Sequence, residues 1–181
     1  EMLTAGIAGQ CMLWQTSPAA TEMETRVLDW VRQAIGLPEG FAGVIQDSAS
    51  SATLAALVAA RERALAGAGN ARGLAHEAPV TVYATAEAHS SIEKACRIAG
   101  IGSAGLRHVA TDDAGRMLAL DLALEIARDR AQGRRPAAVV ATLGTTGIGA
   151  IDPLAEIAAV ARAEAVYLHV DAAWAGSALL L

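Results

Sequence analysis

From residue 42 to residue 171, short apolar runs alternate with helical patterns. That alternation constrains the fold more than any other feature. Strand-like runs occupy 42–46, 80–85, 106–110, 137–142 and 166–170. Helical spacing lies between them: 52–65, a stretch opened by 88–93 and closed near Gly100, 121–131, and one begun by Asp152-Pro153. A strand–helix repeat predicts an α/β domain, a mostly parallel central sheet with helices on both faces. Residues 42–181 would form it, with 1–41 as an N-terminal segment leading in. In that segment, Thr21 with Glu24 reads as a capping box opening a helix that Gly36-Leu37-Pro38 stops. Trp30 on it reads as core or interface.

The polar residues gather where such a sheet binds ligands. Ligands sit outside the carboxyl ends of the strands. Three loops at those ends carry polar residues among small ones, at 47–51, 89–91 and 142–147, and Asp171 ends a fourth strand. The serine run before helix 52–65 reads as an anion site, because free N–H groups and the positive helix end point outward there. Ordinary serine capping explains the same run. His89 lies in a strand-to-helix turn, where an imidazole can stack on a flat ring. Ser90 with Glu93 also makes a plausible capping box. Asp171, followed by Ala172, Ala173, Ala175 and Gly176, suits a flat ligand with a cationic ring nitrogen. Pyridoxal phosphate (PLP) has such a nitrogen and needs a carboxylate beside it. The competing reading is an Asp that caps the next turn.

Other chemistries fit poorly. The charge balance is −5, against nucleic acid and anionic membrane surfaces. No apolar run spans a bilayer and no stretch reads as a signal peptide. The two cysteines, Cys11 and Cys96, show neither metal nor disulfide spacing, which fits a reducing cytoplasm. His76, His89, His108 and His169 have no metal-ligand spacing. Gly144-Thr-Thr-Gly147-Ile-Gly149 is not a dinucleotide fingerprint, no glycine loop carries a Walker lysine, and no nucleophile elbow occurs. A non-initiator Glu1 and the apolar ending Leu179-Leu180-Leu181 are read as the ends of a fragment.

Five motifs, in order over nearly the whole chain, resemble the group II PLP-dependent decarboxylases, closest to the aromatic-L-amino-acid decarboxylases. They are Ser17-Pro-Ala-Ala-Thr-Glu-Met-Glu24, Gly43-Val-Ile-Gln-Asp-Ser-Ala-Ser50, Ala88-His-Ser-Ser-Ile-Glu93, Ala141-Thr-Leu-Gly-Thr-Thr146 and His169-Val-Asp-Ala-Ala-Trp-Ala-Gly176. The resemblance implies the large domain of a fold-type I PLP enzyme. It implies that Ala49 and Ser50, with Ser48 adjacent, bind the cofactor phosphate. It implies that His89 stacks on the ring, Asp171 pairs with the pyridine nitrogen, Ala173 packs on the other ring face and Thr146 lies beside the cofactor. His89 and Asp171 would be the catalytic pair. The implied reaction is decarboxylation of an aromatic L-amino acid to the amine and CO2, in a homodimer.

This sequence departs from the family pattern in several places. The lysine that the family joins to the cofactor follows the Asp motif, and no lysine lies there. The single lysine, Lys94, reads as an exposed helix residue. Asp47 stands where the family often has a small residue, and its carboxylate is expected to turn away from a phosphate. Trp174 replaces a common Tyr, and Met12 stands near Trp14 where animal relatives carry a pocket aromatic. A cysteine desulfurase, an aminotransferase, or a non-catalytic binding module of the same fold are the alternatives.

Overall fold

A computed structural model describes residues 2–7, 9, 11 and 13–180. Met12 lies outside the described residues. The chain divides into two compact units, Glu1–Gln46 with Ala178–Leu181, and Asp47–Ser177.

The second unit carries the sheet. Its elements are α3 (Ala49–Ala64), α4 (Ala68–Arg72), β1 (Val80–Ala84), α5 (Ser91–Ile98), β2 (Leu106–His108), α6 (Ala119–Ala131), β3 (Arg135–Thr142), α7 (Leu154–Ala163) and β4 (Tyr167–Asp171), after α1 (Met2–Ile7) and α2 (Pro18–Ala34) of the first unit. The four strands pair in parallel, in the order β2-β1-β3-β4. Alternate strand residues feed two separate cores. Val82, Ala84, Ala138 and Val140 pack with Leu57, Ala60, Ile92, Ala95 and Cys96 of α3 and α5. Tyr83, Val139 and Ala141 pack with Leu122, Ile126 and Ile157 of α6 and α7. β3 is thus covered on both faces, which is why its sequence runs apolar without alternation. Pro136 has no N–H to donate, and the β1–β3 register slips by one residue beside it.

The strand order creates a reversal. The chain leaves β1 through α5 to β2 on one side, then crosses to β3 on the other side of β1 and continues through α7 to β4. α5 and α7 lie on opposite faces. The crevice between the ends of β1 and β3 is therefore a topological switch point, where sheets of this class bind ligands.

Several local expectations are corrected. Residues 42–46 form no strand; they run without strand pairing, with Val44 and Ile45 exposed. The Ile45 N–H donates to Glu24 Oε1 at 2.6 Å. Thr21 is not a helix cap: α2 starts at Pro18, whose fixed φ suits a first turn, and the Thr21 hydroxyl donates back to the Ser17 carbonyl. Trp30 is 60% exposed within its unit's surroundings, so it is not core. α3 begins at Ala49, earlier than the periodicity implies, because Ser48 and Ser51 form a reciprocal capping box. α4 interrupts the expected loop at 67–79. Pro153 is the cap of α7, not its first residue. No helix among the described residues is long and apolar enough to cross a membrane.

Candidate active site

Four chain segments meet at the switch point, around a cleft of about 250 Å³. The first is the start of α3, which contributes Ala49. Ser48 Oγ accepts the Ser51 N–H at 3.3 Å, closing the cap. Ser48 and Ser50 flank the cleft residue without lining it. Asp47 does not turn away from this turn: its carboxylate takes the Ser51 hydroxyl. The positive end of α3 explains the attraction.

The second segment follows β1 and contributes His89 and Ser91. The expected Ser90–Glu93 capping box does not form, since Ser90 makes no side-chain cap bond. His89 does that work instead. Its Nδ1 accepts the Ser91 N–H at 3.2 Å and lies 3.0 Å from Ser91 Oγ. An accepting Nδ1 puts the proton of the neutral ring on Nε2. The His89 ring is thereby held by its own helix start while remaining exposed to the cleft.

The third segment follows β3 and contributes Thr142, Gly144 and Thr146. Asp152, only 3% exposed, anchors it: its two oxygens accept Met117 N–H at 2.7 Å and Thr142 N–H at 2.8 Å. Thr145 Oγ1 accepts the Ala150 N–H inside the loop. Gly144 has φ +86, and a Cβ there would lie 2.5 Å from the Trp174 ring. Only glycine serves at that position.

The fourth segment ends β4 and contributes Asp171, Ala173 and Trp174. Asp171 stands directly opposite Thr142 in the β3–β4 register. Its Oδ1 accepts the Ala173 N–H at 3.2 Å, so it does cap a turn, while Oδ2 has no protein partner among the described residues. Behind it, His169 Nε2 lies 3.5 Å from Thr53 Oγ1, and burial lowers the His169 pKa against the opposing pull of Asp171. Lys94 is exposed on α5 and does not line the cleft. No three His, Cys, Asp or Glu side chains among the described residues group as metal ligands.

Ala49, His89, Thr146, Asp171 and Ala173, all named from sequence, are thus brought together; Ser48 and Ser50 stay at the edge. Sequence reasoning did not single out Ser91, Gly144 or the anchor Asp152 as site residues. Asp152 had a visible signal, an Asp before Pro at a helix start, but its partners lie 10 and 35 residues away.

The pyridoxal-dependent decarboxylase conserved domain matches residues 1–181. The chain belongs to that family. It is 41% identical to phenylacetaldehyde synthase of Arabidopsis thaliana, over 99% of this chain and 38% of that protein. It is likewise 41% identical to aromatic-L-amino-acid decarboxylase of Sus scrofa, over 99% of this chain and 39% of that protein. The crystal structure of Oryza sativa TDC with PLP and tryptamine superposes with a TM-score of 0.90 at 38% identity, over 99% of this chain and 38% of that one. The chain therefore spans about two fifths of these relatives.

The pyridoxal-dependent family's cofactor fits what the cleft offers. A helix start can receive a phosphate, Asp171 Oδ2 is available, and small residues leave room for a flat ring. One residue lining the cleft also holds an unpaired polar atom: Thr142 Oγ1 is buried with no hydrogen-bond partner.

Proposed function

We propose that this chain forms the cofactor pocket of a PLP-dependent decarboxylase that converts an aromatic L-amino acid to its amine and CO2. The observation that carries the reading is Asp171, held at the switch point with one oxygen in a turn and the other available. Bound beside it, the pyridinium ring supplies an electron sink for the pair left when CO2 departs. Asp171 holds a proton on the ring nitrogen, which keeps that sink charged. Ser48, Ala49 and Ser50 at the start of α3 hold the phosphate. His89, fixed through Nδ1, stacks on one ring face, and Ala173 packs on the other. Thr146 sits at the cofactor's rim. Residues 1–41 lead into this domain and 42–181 build it.

The relatives are more than twice as long as this chain, and Lys94 lies away from the cleft. The lysine that joins the cofactor is therefore assigned to sequence beyond these residues. The open outer edge of β4, whose residues are uncharged before Asp171, supports a further strand there. The first unit exposes Trp14, Met23, Trp30 and Val44, which supports a homodimer. Two unpaired cysteines support a cytoplasmic setting.

The test adds PLP to the complete polypeptide, reduces with borohydride and locates the adduct by mass spectrometry, then assays aromatic L-amino acids. One reduced cofactor on a lysine other than Lys94, with CO2 and amine formed, is the expected result. An aldehyde product would move the reading to the chemistry named for the Arabidopsis relative. Cofactor binding without turnover of any amino acid would leave a non-catalytic binding module. The family match favours decarboxylation over the cysteine desulfurase and aminotransferase alternatives. Asp171→Asn should cost about a hundredfold in turnover, the scale of a lost electrostatic stabiliser.

A further inference from the structure

Two buried side-chain oxygens among the described residues lack any hydrogen bond: those of Thr85 and Thr142. Thr85 does not line the cleft, whereas Thr142 does. Thr142 is 4% exposed, so solvent does not satisfy its hydroxyl. A buried hydroxyl without a partner is costly, and native structures keep few. Its backbone is held on both sides. The Thr142 N–H goes to Asp152 Oδ2 at 2.8 Å, and its carbonyl accepts the Asp152 N–H at 3.0 Å. Its Cα pairs with that of Asp171, and the Leu143 N–H donates to the Asp171 carbonyl at 2.9 Å. Thr142 is thus fixed in the strand position directly opposite Asp171, whose carboxylate is assigned above to the ring nitrogen.

We propose that the Thr142 hydroxyl is a direct cofactor contact, left without a partner until the ring beside Asp171 is in place. It rests on the PLP reading of the cleft. It adds a polar contact that positions the ring against Asp171, and it gives a role to a threonine in a strand whose neighbouring positions are apolar. A threonine that stabilised the fold through its hydroxyl would show a protein hydrogen bond, and Thr142 shows none. A valine there would then cost stability in the cofactor-free protein.

The experiment compares Thr142→Val and Thr142→Ser with the unchanged protein in the complete polypeptide. Two quantities are read: the thermal midpoint without cofactor, and the PLP dissociation constant from quenching of tryptophan fluorescence, Trp174 being in the cleft wall. Thr142→Val should keep or raise the cofactor-free midpoint, since it removes an unsatisfied polar atom. It should weaken PLP binding about three- to tenfold, the scale of one net hydrogen bond. Thr142→Ser should keep most of the affinity. Equal PLP affinity of the valine variant and the unchanged protein would overturn the proposal. So would a valine variant that is destabilised or unfolded without cofactor, because that would reveal a partner already present. Failure of the unchanged protein to bind PLP would overturn the cofactor reading itself, a separate and recognisable outcome.

Discussion

At the scale of single residues, the site is assembled from side chains that each hold a local structural bond as well. His89 caps α5, Asp171 caps a turn and Asp47 folds onto the start of α3. The structural and functional readings of these residues are therefore not alternatives. Asp47 is the exception in charge. A carboxylate at the proposed phosphate site opposes a phosphate, so Asp47→Asn should tighten PLP binding about two- to fivefold, the scale of an exposed charge pair. Fluorescence titration checks this, and unchanged or weaker binding would show that the phosphate sits elsewhere. His169 makes a second residue-level prediction. Burial lowers its pKa below the ordinary 6.5. As pH falls through that value, the unfolded chain takes up a proton that the folded one resists, so stability is full above it and declines below. The urea midpoint should fall between about pH 7.5 and 5.5, and His169→Gln should flatten part of that decline.

At the scale of elements, two buried acids tie together pieces far apart in the chain. Asp129 accepts the Tyr83 hydroxyl at 2.8 Å and the Arg107 guanidinium at 3.1 Å, so α6, β1 and β2 share one carboxylate. Burial raises the Tyr83 pKa well above its usual range, which keeps the hydroxyl a donor. Asp152 plays the corresponding part beside the cleft, joining the end of β3 to Met117 and to the entry of α7. Both of its bonds need an acceptor. An asparagine offers only one, and its NH2 would face a backbone N–H. Asp152→Asn should therefore cost about 1–3 kcal/mol of stability, measured by urea unfolding, and should loosen the 143–149 loop. A variant as stable as the parent would mean that the loop is held by Thr145 and the backbone alone.

At the scale of the whole second unit, the two ends of the sheet meet opposite ends of the helices. The starts of α3 and α5 face the candidate site. At the other end, a larger cleft of about 610 Å³ is lined by Arg63, Arg130, Arg134 and Arg135, with Glu164 paired to Arg130. Arg63 and Arg130 stand in the last turns of α3 and α6. Their charges offset the negative helix ends, so this basic cleft is accounted for without a ligand. A cofactor at the switch point would touch α3 and the ends of β1, β3 and β4 together. Its removal should then lower the stability of the unit as a whole. At a concentration about a hundred times its Kd, PLP should add about 2.7 kcal/mol, read as a rise in thermal midpoint. No rise would mean that the site is not formed in the folded protein.

The amino-acid sequence by itself determined the alternation of strands and helices, the parallel sheet with helices on both faces, and the loops that carry polar residues. Those are written in neighbouring residues, through apolar period, glycine and proline. It also determined the family, because five motifs stand in order along the chain. Only the tertiary structure decided that 42–46 pairs with no strand, that β1 and β3 adjoin and open a crevice, and that Thr142 faces Asp171 with its hydroxyl unpaired. Those depend on which distant segments meet. Pairing of a strand, burial of a hydroxyl and the partners of Asp152 are properties of contacts across the fold, and no local pattern encodes them.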